Sequence, residues 1–360
     1  MTRPPRVVLV SSNGTGMGHL TRLLAYARHL DGVDVRFLSL SLAAPVVRDM
    51  GYPVEYIPSQ GATGLRSASW RRLFEDRLRE YVLRVRPDVV VFDGTFPYPG
   101  FKTVRASLPG TRWLWSRRGM WKPGLHTSQV DKAAWFDGVI EPGDLAGAAD
   151  VGATAGPRDR GEVSLVRPVT LLDRADLSGR SEARAALGLP AEGPLALVSL
   201  GAGVLWDAQE AATAVAAQLA ELGVGTCMTQ TALVARLREQ IRATDIHVVR
   251  DYPLSRRLAA FDLAVVATGY NAFHEHLRLG LPSLFVPNID IPLDDQAARA
   301  RFAEAQGWAL VAETHELDDV RDRLAGLMER GPVMAAAAQG ADPGNGAADA
   351  AAIIRQELVA

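Results

Sequence analysis

Leu263-Ala-Val-Val-Ala-Thr-Gly-Tyr-Asn-Ala-Phe-His-Glu-His-Leu-Arg-Leu-Gly-Leu-Pro-Ser-Leu-Phe-Val286 contains an apolar run, a glycine turn, an amphipathic segment and a second apolar run. Leu263–Ala267 reads as a buried strand, Asn271–Leu279 as a helix and Ser283–Val286 as a second strand. Strands joined through a helix form a βαβ unit, and such units build parallel sheets. The same alternation extends in both directions. Upstream lie a strand at Leu195–Leu200, a helix near Ala208–Leu222 and strands near Thr226–Thr229 and His247–Val249; downstream lies a helix at Asp295–Gln306.

The first half repeats the pattern. Arg6–Ser12 reads as a strand and His19–Leu30 as a helix, and Val35–Leu40, Val54–Ile57, Val89–Asp93, Trp113–Ser116 and Gly138–Ile140 read as further strands. Trp70, Leu73, Phe74, Leu78, Tyr81, Val82 and Val85 fall at helical spacing within Ser69–Arg86. Gly147–Gly161 has no period and reads as a loop, and Arg167–Ser181 reads as a connector. Pro343-Gly-Asn-Gly346 breaks the chain before a last helix, Ala347–Leu358. No repeat of solenoid length appears. The expectation is α/β architecture in two domains: 1–170 together with 346–360, and 171–345. In open parallel sheets ligands bind beyond the carboxyl ends of the strands, so chemistry is sought in the loops after strands.

With 360 residues, 48% apolar and 22% charged, the chain is globular and long enough for two cores. A net charge of −2 gives nucleic acid no electrostatic purchase. One cysteine, Cys227, excludes a disulfide framework and suits a reducing compartment. No run approaches the roughly 18–20 apolar residues of a membrane helix, and Val7–Val10 is short for a signal-peptide core. The expected location is cytoplasmic. The Arg-rich stretch Ser69–Arg86 reads either as a helix resting on the inner membrane face or, as the commoner case, as a solvated outer helix.

The turn after the first strand reads Ser11-Ser-Asn-Gly14-Thr-Gly16-Met-Gly18-His19. Alternate glycines let backbone approach a ligand, and the following helix offers N–H groups and a positive dipole end to an anion; the plain alternative is a tight turn. The G-x-G-x-G spacing is not that of a dinucleotide site. At the helix N-terminus a histidine stays neutral more readily, so His19 is a candidate base as well as a candidate cap. Arg22, one turn on, reads as a phosphate contact or the partner of an acid. Asp93 ends a strand, where it either orients His19 or caps the next turn. Trp115, Arg117 and Arg118 follow another strand, and suit an acceptor as well as a core.

In the second half, Gly201 and Gly203 repeat the glycine turn. Thr268, Gly269, Tyr270 and Asn271 lead into a helix whose N-terminus suits a diphosphate. Glu275, in its first turns, either complements the dipole or accepts the two hydroxyls of a ribose. His274 and His276 are two apart and point to different faces, so they form no zinc pair. No serine nucleophile elbow, P-loop or CxxC occurs.

Gly16-Met-Gly-His-Leu-Thr-Arg22 matches a GxGHxxR motif, and Thr268–Pro287 followed by Asp294-Asp-Gln-Ala-Ala-Arg-Ala-Arg-Phe-Ala303 is a longer block. With these the chain resembles the MurG-related branch of GT-B glycosyltransferases, in the GxGHxxR subgroup of predicted glycosyltransferases, over nearly its whole length. The resemblance implies two Rossmann-like domains facing a central cleft, an acceptor domain and a donor domain, with the C-terminal helix crossing back to the N-terminal domain. It also implies that Glu275 holds the donor ribose and that Gly269 through Ala272 hold the diphosphate. Asp295 and Gln296 would hold sugar hydroxyls, Gly16, Gly18, Gly201 and Gly203 would close on the donor, and backbone near Arg250–Leu254 would meet the base. His19 falls on the family histidine. The first loop, Gly14-Thr-Gly-Met-Gly-His19, differs from the Gly-Gly-Thr-Gly-Gly-His of MurG enzymes themselves, which leaves the acceptor open.

The resulting expectation is transfer of a hexose from a nucleoside-diphosphate sugar, UDP before dTDP, to a hydroxyl acceptor. The reaction is expected to invert, to need no cofactor or metal, and to use His19 as base with Asp93 orienting it. A nucleotide-sugar hydrolase and a non-catalytic nucleotide-sugar binder are the alternatives.

Overall fold

In a computed structural model that describes residues 3–12, 17–125, 127–155, 163–201, 208–229 and 246–359, the chain forms two units. One comprises 1–144, 150–171 and 345–360, the other 145–149 and 172–344. The first contains β1 (Arg6–Ser11), α1 (Gly18–Ala27), β2 (Asp34–Ser39), α2 (Ala44–Asp49), β3 (Val54–Tyr56), α3 (Gln60–Thr63) and α4 (Ser67–Val85). It continues with β4 (Val89–Asp93), α5 (Pro99–Ala106), β5 (Arg112–Ser116), β6 (Gly138–Pro142) and β7 (Val163–Val166).

All neighbouring strands of this sheet pair in parallel, in the order β3-β2-β1-β4-β5-β6-β7. Strand order reverses between β1 and β4, which opens a crevice at their carboxyl ends, the switch point where such sheets bind ligands. Val7 to Val10 and Val89 to Phe92 have no exposed surface, as strands covered by helices on both faces require. The apolar stripe of α4 buries Trp70, Phe74, Leu78 and Tyr81, while Arg71 and Arg72 face solvent and Arg79 pairs with Glu75 at 2.8 Å.

The second unit contains α6 (Arg180–Leu187), β8 (Leu195–Ser199), α7 (Ala208–Glu221), β9 (Gly225–Thr229), β10 (Ile246–Val249), β11 (Leu263–Ala267), α8 (Tyr270–Leu279), β12 (Ser283–Val286), α9 (Gln296–Ala305), β13 (Leu310–Val311) and α10 (Arg321–Gly340). Its sheet repeats the order, β10-β9-β8-β11-β12-β13, again wholly parallel, with the switch point between β8 and β11. Ala196, Val198, Val215, Leu219, Val265, Leu284 and Leu324 fill its core. The final helix, α11 (Ala347–Glu357), belongs to the first unit, where it packs on α1, β6 and β7.

The structure adds elements that the sequence pattern does not announce. β7 is a short strand with Leu165 exposed, and β13 is only two residues long, so neither shows an apolar run. Helix α10 runs through Gly331 and Pro332, both breakers. A side chain at Gly331 would press on Pro282, its Cβ standing 2.6 Å from the proline Cβ, so the glycine permits the helix to lie there.

Ile354 on α11 is completely buried within the first unit. Ile354→Ala is expected to lower stability by about 2–5 kcal/mol, read as a reduced urea midpoint.

Candidate active site

At the first switch point the register sets Asp93 of β4 between Ser11 of β1 and Ser116 of β5. The turn after β4 needs glycine: a Cβ at Gly94 would overlap the Phe92 ring and stand 2.8 Å from the Ser12 Cβ. The Asp93 carboxylate is fully buried. Its Oδ1 accepts from His19 Nδ1 at 2.6 Å and from Arg22 Nη2, and its Oδ2 accepts from Arg22 Nε at 2.9 Å and Ser116 Oγ at 2.6 Å. Because the Ser116 proton goes to Asp93, the Tyr26 hydroxyl, 3.0 Å away, donates to Ser116. Four donors on two oxygens satisfy the carboxylate completely.

Burial alone would raise the Asp93 carboxyl, but the Arg22 charge and the hydrogen bond from His19 outweigh it and hold it down at about 2. An ionised Asp93 fixes the histidine tautomer: Nδ1 carries the proton and Nε2 keeps its lone pair. Arg22 Nη2 also lies 3.0 Å from Nδ1, but both are donors, so the contact is no hydrogen bond. Burial lowers the His19 imidazole; Asp93 raises it, and Arg22 and Arg118 lower it further, with a net depression. The side chain is 18% exposed. A neutral imidazole of fixed tautomer with an accessible face is the arrangement of an oriented general base.

The remaining positions of the first unit separate. Gly18 opens α1 with open space where a Cβ would stand, and Gly16 lies outside the described residues. Trp115 and Arg117, read as acceptor contacts, are interior. Trp115 is fully buried with its indole N–H donated to the Gly94 carbonyl at 2.8 Å. Arg117 forms a buried pair with Glu141 at 2.6 Å, its guanidinium over the Trp115 and Trp121 rings. The partly exposed Arg118 is the member of this set whose charge reaches His19. Ser116 escapes sequence reading, because only strand pairing reveals that it lies beside Asp93.

In the second unit, Gly201 follows β8 with φ +98, in the left-handed region where glycine is at ease, and Gly203 lies outside the described residues. At the end of β11, Thr268 is fully buried with no partner for its hydroxyl among the described residues, and Gly269 caps α8 without a side-chain bond. Tyr270 is buried and Asn271 partly so. Arg299, fully buried, ties this turn to the loop after β12, donating to the Thr268 carbonyl at 3.1 Å and to Asp294 at 2.9 Å. The Gln296 amide sits in the same network: its oxygen accepts from Asn288 N–H and its NH₂ donates to Asp294. Asp295 caps α9 through the Ala298 N–H at 3.0 Å.

Burial pushes the Glu275 carboxyl up to about 7 against the opposing effects of Ser255 and Arg278. The two histidines beside it are structural. His274 accepts from the Leu145 N–H and donates to the Tyr270 carbonyl. His276 bonds Ser283, and burial holds it near 4.

No family model matches the chain. A UDP-N-acetylglucosamine–N-acetylmuramyl-(pentapeptide) pyrophosphoryl-undecaprenol N-acetylglucosamine transferase of Nocardia farcinica is 30% identical over 324 residues, covering 86% of this chain and 83% of that protein. The enzyme of the same name from Nocardioides sp. is 31% identical over 326 residues, covering 85% and 84%. The chain belongs to the MurG family of glycosyltransferases. The solved structure of Acinetobacter baumannii MurG matches with a TM-score of 0.62 at 19% identity, over 98% of this chain and 100% of that one. The spinosyn forosaminyltransferase SpnP gives 0.69 at 16% identity, over 99% and 100%. These likenesses show the GT-B fold, with its two Rossmann-like domains. The family makes this chain a nucleotide-sugar-dependent glycosyltransferase. Among the described residues no helix is long and apolar enough to cross a membrane.

Because the Asp93 carboxyl is depressed in the fold, its stabilisation is present above the ordinary carboxylate value and is lost as pH falls through about 2. Asp93→Asn is expected to flatten the acid side of the stability curve between about pH 4 and 2, measured by urea unfolding at each pH.

Proposed function

We propose that the chain transfers a hexose from a uridine diphosphate sugar to an acceptor hydroxyl, with inversion and without a metal ion. The observation that carries this reading is the 2.6 Å bond from His19 Nδ1 to the buried Asp93 at the β1/β4 switch point. It leaves Nε2 as the proton acceptor. His19 Nε2 takes the proton of the acceptor hydroxyl while its oxygen bonds to the anomeric carbon. The bond from that carbon to the diphosphate breaks on the opposite face, and UDP leaves with the electron pair. A positioned base contributes about 10²- to 10⁴-fold.

The leaving diphosphate is assigned to the α8 N-terminus, where the Gly269 cap spends no side chain on the helix N–H groups. Donors aimed at developing charge are worth roughly 3 kcal/mol each. These N–H groups stand in for a cation, and no Asp-x-Asp cluster closes a strand in the sequence. Glu275 supports uridine over thymidine. A carboxylate that accepts two ribose hydroxyls needs the 2′-OH, which a deoxyribose lacks. The named relatives use UDP-N-acetylglucosamine, which agrees with a UDP donor. Their acceptor is a pyrophosphoryl-undecaprenol, and an acceptor carrying an anionic group would face Arg118 here.

Incubation with UDP- and dTDP-hexoses, with and without extract of the source cells, tests the reading through nucleoside diphosphate release. Release should require extract, prefer UDP-sugars, persist in EDTA and fall about 10²- to 10⁴-fold in His19→Ala. Equal release without extract would make the protein a hydrolase instead. Ionised Glu275 is the form that accepts a diol, so UDP should bind more tightly as pH rises through about 7. Calorimetric titration should show that dependence in the wild type and its loss in Glu275→Gln.

A further inference from the structure

The loop after β5 is held in a backbone shape that its own sequence does not favour. Met120 lies in the left-handed region with φ +57, although it is not glycine and its side chain is buried. What holds it there is a second loop from the same unit. Asp150 Oδ2 accepts from the Met120 N–H at 2.9 Å and from the Thr154 hydroxyl at 2.8 Å, while Oδ1 accepts from the Gly152 N–H at 2.9 Å. The Thr154 hydroxyl lies 3.4 Å from the Trp121 N–H and accepts from it.

The two loops are in direct backbone contact. A Cβ at Gly152 would overlap the Trp121 carbonyl, and one at Gly119 would stand 3.3 Å from Asp150 Oδ2. On the other side, Arg117 is locked by Glu141 and by the Trp115 and Trp121 rings. The chain on either side of Arg118 is therefore held, at Arg117 and at the Met120 N–H. Arg118 lies two residues beyond Ser116, which bonds the carboxylate that orients His19. Strain kept by surrounding contacts beside a reacting group commonly serves positioning.

We propose that Asp150 is a positioning residue for transfer: by holding Met120 in the left-handed conformation it fixes Arg118 beside the His19–Asp93 pair, where the guanidinium receives an anionic group of the acceptor. The inference rests on the reading of His19 as base. Among the described residues, the charged groups that act on His19 are Asp93, Arg22 and Arg118, from β4, α1 and the loop after β5. Arg118 disfavours the imidazolium, so releasing it moves the His19 titration upward.

The test follows the His19 ring by NMR in ligand-free full-length protein with ¹³C-labelled histidine, the signal assigned by its loss in His19→Ala. Arg118→Ala and Asp150→Ala should both shift the titration up, and the double variant should shift it no further than Arg118→Ala. Thr154→Val, which keeps the side-chain shape and loses the bond to Asp150 and the one from the Trp121 N–H, should shift it less in the same direction; urea unfolding checks that each variant is folded. In turnover, the extract needed for half-maximal UDP release should rise roughly 10- to 100-fold in Asp150→Ala, the worth of a charge-assisted hydrogen bond.

A His19 titration that moves in Arg118→Ala but not in folded Asp150→Ala or Thr154→Val overturns the proposal. So does one that moves in neither single variant, or additive shifts in the double. Full activity in His19→Ala would instead remove the base reading while leaving the titrations to decide the placement of Arg118.

Discussion

A carboxylate ionised inside a parallel sheet must be compensated on every side, and the first unit is arranged around that demand. Asp93 has no exposed surface, and an isolated buried charge of this kind would neutralise rather than persist. It stays ionised because Arg22 offers two nitrogens, Ser116 a hydroxyl and His19 a ring N–H. Each partner comes from a different constraint. Parallel register places Ser116, the rise of α1 sets Arg22 one turn beyond His19, and the glycine turn after β4 lets the chain leave the sheet. The same charge then fixes the imidazole tautomer, so the cost of burial and the orientation of the base are two sides of one interaction.

The second unit meets a similar demand with Arg299 and Asp294. This buried pair joins the turn after β11 to the loop after β12, and Gln296 extends it to the Asn288 N–H. Loops after strands are usually the mobile parts of an α/β fold. Here buried ion pairs turn them into scaffold: Arg117–Glu141 in one unit and Arg299–Asp294 in the other, while Arg22–Asp93 ties α1 to the end of β4. Each removes freedom from a segment that carries or flanks a candidate contact.

Burial also separates side chains that look alike in composition. Trp115, Arg117 and Arg118 form one aromatic and basic run, yet only Arg118 keeps partial exposure beside His19. His274, Glu275 and His276 are consecutive, but the histidines spend their nitrogens on the Leu145 N–H, the Tyr270 carbonyl and Ser283, while the carboxyl of Glu275 is pushed towards neutrality. Helical rotation of about 100° per residue sends neighbours into different surroundings.

The sequence by itself determined the parallel α/β architecture, because β-branched runs alternating with helical stretches can close only through βαβ crossovers. It also determined His19, Asp93 and Glu275 as candidates, since each stands where a strand ends or a helix begins. It was silent on β7, β13 and α10, whose exposure, brevity or internal breakers leave no periodic signal. Tertiary structure alone decided which candidates meet. Asp93 and Ser116 are 23 residues apart and touch through strand pairing, and Asp150 reaches Met120 across 30 residues. Such contacts depend on which strands become neighbours and how loops cross, and local propensity carries no information about either.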